Sequence, residues 1–556
     1  MLDLPPLRFL RNVGRGTEVF LVLFKYGFGE IADQLNPRRH VPFLRRRALK
    51  KAQSIEPELS VPQRIRLVLE ELGPTFIKFG QVMSTRPDLI PIEVIDELKN
   101  LQEQVPPFPS DAAVRAVEDE LHAPVDELFL EFDREPLGAG SLGQVHLARH
   151  KDGTRLAVKI RRPTAVRDVE RDLALMLDLA ELAVSKIKFL EVFDPVGLVQ
   201  HFSRTIRREM NFRREGRTMQ EFTRLFAEDA TLYVPRVYDE LTTEAVLTME
   251  YVDGCRPDDT NAMASLPITP PQLAVNGAHI FMRMSFEFGI FHGDPHPGNL
   301  RVLPDGRIAF LDYGMVGTLG EEKREQLVDL FVSVAKPDVD RAVHLVQTIG
   351  KPSRPVDDLL LRADVQDFVE TYYGVPLEQM KIGSMLSDFV DILANHGLRC
   401  PADLMLLIRA VVTLEGVGRS LDPHFNLAGE LAPFVERLVK ARYDPRRIME
   451  RTIDDAKTVL GAIHDLPLHF GRTLQKLNQD DLRIQLEHRK LDDFVNEFDR
   501  SSNRVVVGMI TAALIVASAL VVRTGTGEWW LPSLVFAASG FLGVWLIWGI
   551  LRSGRL

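Results

Sequence analysis

The sequence predicts an α+β chain: a small antiparallel sheet, a larger and mostly helical body, and further helices at both ends. Three observations carry that reading. Glu131 to Ile160 runs as strand, glycine-rich loop, strand, tight turn and strand, with apolar residues at alternate positions. Phe291 to Gly314, FHGDPHPGNLRVLPDGRIAFLDYG, holds a short hairpin in which Leu300–Leu303 and Ile308–Leu311 flank Pro304-Asp305-Gly306-Arg307. Beyond it, Lys323 to Ile349, Val356 to Tyr373 and Leu404 to Leu421 step in threes and fours, as amphipathic helices do.

At 556 residues the chain is too long for one hydrophobic core. An apolar content of 45% with 26% charged residues is that of an ordinary globular protein. The net charge of −10 argues against a general nucleic-acid binder, which carries a basic balance. Cys255 and Cys400 stand far apart without a C-x-x-C, so no disulfide framework or zinc site is expected.

The chemistry is concentrated in two stretches. Asp294 and Asn299 form D-x-x-x-x-N, and the hairpin after them brings Asp312 of Asp312-Tyr313-Gly314 back beside Asn299. Phosphoryl transfer from ATP asks for this set: Asp294 orients or deprotonates the acceptor, while Asn299 and Asp312 hold magnesium, with manganese as a substitute. Upstream, Gly138-Ala139-Gly140-Ser141-Leu142-Gly143-Gln144-Val145 is a G-x-G-x-x-G-x-V. Dinucleotide folds share the first six positions, but they need a helix next. Here Val145, Leu147 and Arg149 alternate into Asp152-Gly153, and the following strand carries Lys159. A glycine loop over the phosphates and a strand lysine paired with them make a bilobal, protein-kinase-like fold. Met249-Glu250-Tyr251-Val252-Asp253-Gly254 reads as the hinge between lobes, with the backbone of Glu250 and Val252 set against adenine. His292 and His296 lack further ligands at metal spacing and are expected as hydrogen-bonded loop residues. No Ala-Pro-Glu and no long segment follow Gly314, which counts against a kinase controlled by phosphorylation of that segment.

The remainder divides around this body. Residues 1–60 carry eleven Lys or Arg against six Asp or Glu, seven of the basic ones within Asn36–Lys51. The apolar run Val19–Gly29 before them reads either as a helix on a headgroup surface or as one packed on the body. Residues 61–130 form a helical extension, 131–254 the first lobe, 255–445 the second and 446–504 a charged helical arm. Val505–Val522 and Leu531–Leu551 contain no charged residue. Eighteen helical residues span about 27 Å, enough for a bilayer core, so a transmembrane hairpin is expected over 505–551. Arg489, Lys490, Arg500 and Arg504 before it and Arg552 and Arg555 after it face a lone Arg523 in the link, which places both ends in the cytoplasm.

With Lys78-Phe79-Gly80-Gln81 as K-x-G-Q, and with the catalytic set above, the chain resembles the UbiB family of atypical kinase-like ATPases linked to coenzyme Q biosynthesis. The resemblance runs from the N-terminal helices to the final hairpin. It implies that the extension folds over the active site, with Lys78 and Gln81 toward the nucleotide and the peptide cleft blocked. It pairs Lys159 with Glu215 and Lys78 with Glu209. Two departures stand out: Asn211 occupies the Asp of the family's Glu-x-Asp, and Gly138–Ser141 occupies a loop that is often Ala-Ala-Ala-Ser.

The leading expectation is a membrane-anchored ATPase of a bacterial inner membrane. It would act on, or give access to, isoprenoid-quinone precursors, with membrane lipids and quinone-biosynthesis proteins as partners. A phosphotransferase acting on a small molecule or a protein is the enzymatic alternative. A nucleotide-sensing scaffold is the alternative from another class.

Overall fold

A computed structural model describes residues 13–28, 59–84, 90, 92–101, 106–186, 194–352, 355–376 and 379–442, with isolated positions between 505 and 541. The basic stretch 36–51, the arm 446–504 and most of the two apolar runs lie outside these residues. Among the described residues no helix is long and apolar enough to cross a membrane. The chain forms two compact units, and the elements below belong to the first, Met1–Arg447.

α1 (Val13–Lys25) precedes the extension, which comprises α2 (Val61–Leu72), α3 (Pro74–Met83), α4 (Ile92–Leu98), α5 (Ser110–Leu121) and α6 (Val125–Leu128). Of the two readings of the first apolar run, the structure has the packed helix. Val19 and Val22 of α1 are buried with Val68, Leu69 and Phe76, and Arg15 ties α1 to Asp172 at 2.9 Å. Ser60 and Gln63 form a capping box at the start of α2. Gly73, at φ +94°, turns α2 into α3, a backbone state that disfavours a side chain.

The first lobe is an antiparallel sheet in the order β1 (Glu131–Ala139), β2 (Gly143–Arg149), β3 (Arg155–Arg161), β5 (Val246–Glu250). α7 (Ala165–Lys186), α8 (Pro195–Glu209), α9 (Phe212–Leu225) and β4 (Leu232–Tyr233) lie between β3 and β5 in sequence. Side chains of a strand alternate between faces. Leu156, Val158 and Ile160 of β3 pack with Ala113 and Val117 of α5. Ala157 joins Phe212, Met219 and Phe222 of α9 on the other face. Lys159 shares the face of Ala157, which is why it meets α9.

The second lobe begins with α10 (Thr260–Met263) and α11 (Pro270–Met282), then a π-helical turn, Arg283–Phe288. β6 (Ile290–His292), β7 (Leu300–Val302), β8 (Ile308–Phe310) and β9 (Val316–Thr318) follow. β7 and β8 pair in the expected hairpin, Leu300 opposite Phe310. β9 returns at once onto β6, His292 opposite Val316, so nothing resembling a long activation segment intervenes. α12 (Glu321–Ala335), α13 (Val339–Ile349), β10 (Lys351–Pro352), α14 (Asp358–Tyr372), α15 (Ile382–Asn395), β11 (Leu398–Arg399), α16 (Ala402–Leu421) and α17 (Leu427–Arg442) complete the body. The amphipathic stretch Lys323 to Ile349 divides between α12 and α13 at 336–338, where Asp338 caps α13.

Candidate active site

Lys159 lies between the lobes. Its ammonium nitrogen is 2.9 Å from both carboxylate oxygens of Glu215 on α9 and 3.5 Å from Asp312 Oδ2. Phe212 lies under it, 5.1 Å from the ring centre. Burial opposes the charge on Lys159, but Asp312 and Glu215 outweigh it and hold the ammonium above its ordinary range. Glu215 is 5% exposed. Burial lifts it to about 7, against the pull of Lys159 and with the push of Asp312. Asp312 goes the other way. Burial would raise it, but Lys159, the Gly314 N–H, Lys78 and His292 hold it well below the usual carboxylate range.

The extension reaches the same place. Lys78 Nζ on α3 is 3.1 Å from Glu209 Oε2 at the end of α8, and its charge is felt at Asp312. Gly80 faces away: a Cβ there would strike the side chains of Leu101 and Leu69. The glycine of K-x-G-Q therefore lets α3 pack closely, while Lys78 and Gln81 lie three residues apart on its other side. Asn211 caps α9 by accepting from Arg214 N at 3.2 Å, and its Nδ2 donates to Glu244 at 3.1 Å. An aspartate could not make the second bond.

The catalytic loop is held from several directions. His292 donates from Nε2 to the Asp312 carbonyl at 2.5 Å and accepts at Nδ1 from the Asp294 N–H at 3.1 Å. It thus joins the two motifs through their backbones, and burial keeps its ring below the ordinary pKa. His296 Nδ1 accepts from Gly298 N at 3.0 Å. Both histidines make the loop hydrogen bonds expected of them. The Asp294 carboxylate has Arg409 Nη2 of α16 at 3.4 Å and His296 Nε2 at 3.8 Å. Asn299 Nδ2 donates to the Asp294 carbonyl at 3.3 Å, which leaves its amide oxygen for a ligand. Leu311 N donates to Asn299 O at 2.9 Å, so the hairpin sets Asp312 next to Asn299.

The glycine loop closes with Gly140 N donating to Gly143 O at 2.8 Å. Gly138 pairs with Val145 and Ala139 with Gln144 across β1 and β2, while Val145 stands opposite Lys159. A Cβ on Gly143 would strike the Ile160 carbonyl, whereas one on Gly138 would meet nothing within 4 Å. Ser141 is buried. Arg162 donates to the Gly140 carbonyl at 3.0 Å and to that of Pro106 at 2.8 Å, tying the loop to the segment before α5. At the hinge, β5 ends at Glu250. The Glu250 N–H is engaged by the Arg236 carbonyl at 2.8 Å, because Val237 bridges Met249 beside β5. The Glu250 carbonyl and the main chain of Val252 remain for a base.

The donor set fits magnesium. Asp312 Oδ1 accepts from Gly314 N at 2.7 Å, which orients the carboxylate, and its side chain is 46% exposed to the cleft. With the Asn299 oxygen this makes two hard donors, as in sites that share the ion with phosphates. Among the described residues no group of three or more His, Cys, Asp or Glu side chains forms a self-contained metal cage. Arg162 and Arg409 carried no motif in the sequence. Each acts across the fold, so no local pattern could have marked it.

The ABC1 atypical kinase-like domain matches residues 100–346, the UbiB helical domain 365–426 and the ABC1/UbiB kinase-like C-terminal domain 489–552. A probable protein kinase UbiB of Aeromonas salmonicida is 31% identical over 92% of this chain and 95% of its own length. The chain belongs to the UbiB family of atypical kinases. The UbiB resemblance drawn from K-x-G-Q is thereby established, as is a kinase-like fold of mixed helices and strands. An uncharacterized protein in the hydrogenase 1 5′ region of Clostridium pasteurianum is 30% identical over 98% of this chain and 100% of that protein. The structure of the Rv3197–erythromycin complex of Mycobacterium tuberculosis is similar at 23% identity and a TM-score of 0.39, over 62% of this chain and 92% of that one.

Proposed function

We propose that this UbiB-family protein binds MgATP between the glycine loop and Asp312 and hydrolyses it, in support of ubiquinone or related isoprenoid-quinone biosynthesis. The observation that carries the reading is Lys159 held between Glu215 and Asp312. A partly buried ammonium tied to one acid and facing a second, more open one is prepared for phosphate oxygens. Asn299 and Asp312 would hold the divalent ion, magnesium or manganese, which when bound neutralises phosphate charge.

In hydrolysis the water oxygen forms a bond to the γ-phosphorus while the bond to the bridging oxygen of ADP breaks. Asp294 orients the water and takes its proton, which then passes to solvent. Ser141 and the main chain of Gly138 to Gly143 cover the phosphates, with Lys78 and Gln81 capping them. The prompt return of the chain from Gly314 to β9, and the packing of α3 near Asp312, favour water or a small acceptor over a peptide. Membrane anchoring, with access to lipid precursors, rests on the two uncharged apolar runs of 18 and 21 residues near the C-terminus.

The test is phosphate release by the full chain, with and without liposomes and quinone-precursor analogues, beside Asp294→Asn. Loss of about 10²–10⁴-fold in the variant is expected. Unchanged release would overturn the reading, and biological complementation by a variant without turnover would favour the nucleotide-sensing scaffold.

A further inference from the structure

α16 is a predominantly apolar helix with a cation in its middle. Leu404, Met405, Leu407, Ile408, Ala410 and Val411 are all buried, yet Arg409 stands among them. The Arg409 side chain itself is 32% exposed, and a partly buried charge is best met by a partner. The partner is the catalytic carboxylate, with Arg409 Nη2 3.4 Å from Asp294 Oδ1.

We propose that Arg409 is a positioning residue for phosphoryl transfer, supplying from outside the catalytic loop the cation that fixes the Asp294 carboxylate. The helix is docked to do this. A Cβ on Gly293 would lie 2.7–2.9 Å from the side-chain carbons of Leu406, so the glycine beside Asp294 admits α16 directly onto the loop. Leu406 and Arg409 are three residues apart and share a face. α16 is itself anchored to α15, since Glu415 accepts from Gly383 N at 2.8 Å. His292 holds the main chain of Asp294, and Arg409 holds its side chain. His296, the other cationic neighbour, is farther at 3.8 Å and charged only when protonated. Arg409 is therefore the nearer cation to the carboxylate, and its planar fork of donors suits a carboxylate oxygen.

The inference rests on the hydrolytic reading, and the experiment separates the two. Steady-state hydrolysis and MgATP affinity are measured on the full-length wild type, Arg409→Ala, Arg409→Lys, Asp294→Asn and the double variant Arg409→Ala/Asp294→Asn. Arg409→Ala is expected to lower kcat by about 10- to 100-fold, as small misplacements of catalytic groups do. MgATP affinity should stay within about twofold, because Arg409 acts through Asp294. Arg409→Lys, or guanidinium added to Arg409→Ala, should restore part of kcat, while guanidinium should do nothing for Asp294→Asn. The double variant should be no slower than Asp294→Asn alone. Should Arg409→Ala fail to fold, Arg409→Met keeps the apolar stem and receives the same rescue. Wild-type kcat in either neutral variant, or losses that multiply in the double variant, would overturn the assignment. A wild type without phosphate release would instead overturn the hydrolytic reading.

Discussion

Lys159 Nζ lies 2.9 Å from each carboxylate oxygen of Glu215, an ion pair between β3 and α9 with Glu215 almost wholly buried. The pair adds a polar link to the apolar contact that Ala157 makes with the same helix. Its strength depends on pH, because burial brings Glu215 to about 7.

The sign of that dependence is definite. Below about pH 7 Glu215 takes a proton and loosens its hold on Lys159; above it the carboxylate holds the ammonium toward Asp312. MgATP affinity should therefore fall as pH drops through about 7. Glu215→Gln should bind more weakly and lack that acid limb, which titration calorimetry over pH 5.5–8.5 would read. Stability runs the opposite way, since a carboxyl raised in the fold contributes most below its unfolded value near 4.5 and loses that contribution as pH rises through about 7.

Gly140→Ala separates nucleotide handling from folding. A Cβ at Gly140 would meet only the Gly143 carbonyl at 3.9 Å, an ordinary contact. Thermal stability should stay within about 0.5 kcal/mol of wild type, the range of an uncrowded substitution. MgATP and MgADP affinities should change relative to each other because the loop loses backbone freedom. Unchanged affinities for both would refute a role for these glycines in nucleotide choice.

Gly143→Ala should behave otherwise. Its Cβ would collide with the Ile160 carbonyl, and backbone cannot yield as a flexible side chain does. A loss of about 1–3 kcal/mol is expected, the usual cost of overpacking. Denaturant unfolding would measure it.

Asn211→Asp tests the departure in the Glu-x-Asp position. The cap to Arg214 N would survive, but the 3.1 Å bond to Glu244 would become a contact between two carboxylates. A loss of about 1 kcal/mol, diminishing with added salt, is expected from thermal unfolding. Glu244→Gln should restore it.

Asp312→Ala removes the open acid facing Lys159. MgATP affinity should fall by about tenfold or more, and magnesium titration should no longer promote binding. Unaltered metal dependence would remove Asp312 from the metal site.

Local pattern alone determined a good deal about this protein. The alternation of β3 put Lys159 on the face opposite Leu156 and Val158, and the Pro-Asp-Gly turn brought Asp312 to Asn299. These relations are set by strand periodicity and turn geometry, which act over a few residues. The pairings Lys159–Glu215 and Lys78–Glu209 join segments 56 and 131 residues apart, and only family resemblance suggested them. Tertiary structure alone decided that α1 packs on the extension, that the Glu250 N–H is taken by Arg236, and that Arg409 meets Asp294. Each depends on which surfaces are pressed together once the cores close, and a charge on a partly buried helix face bears no mark in sequence of the carboxylate it will find.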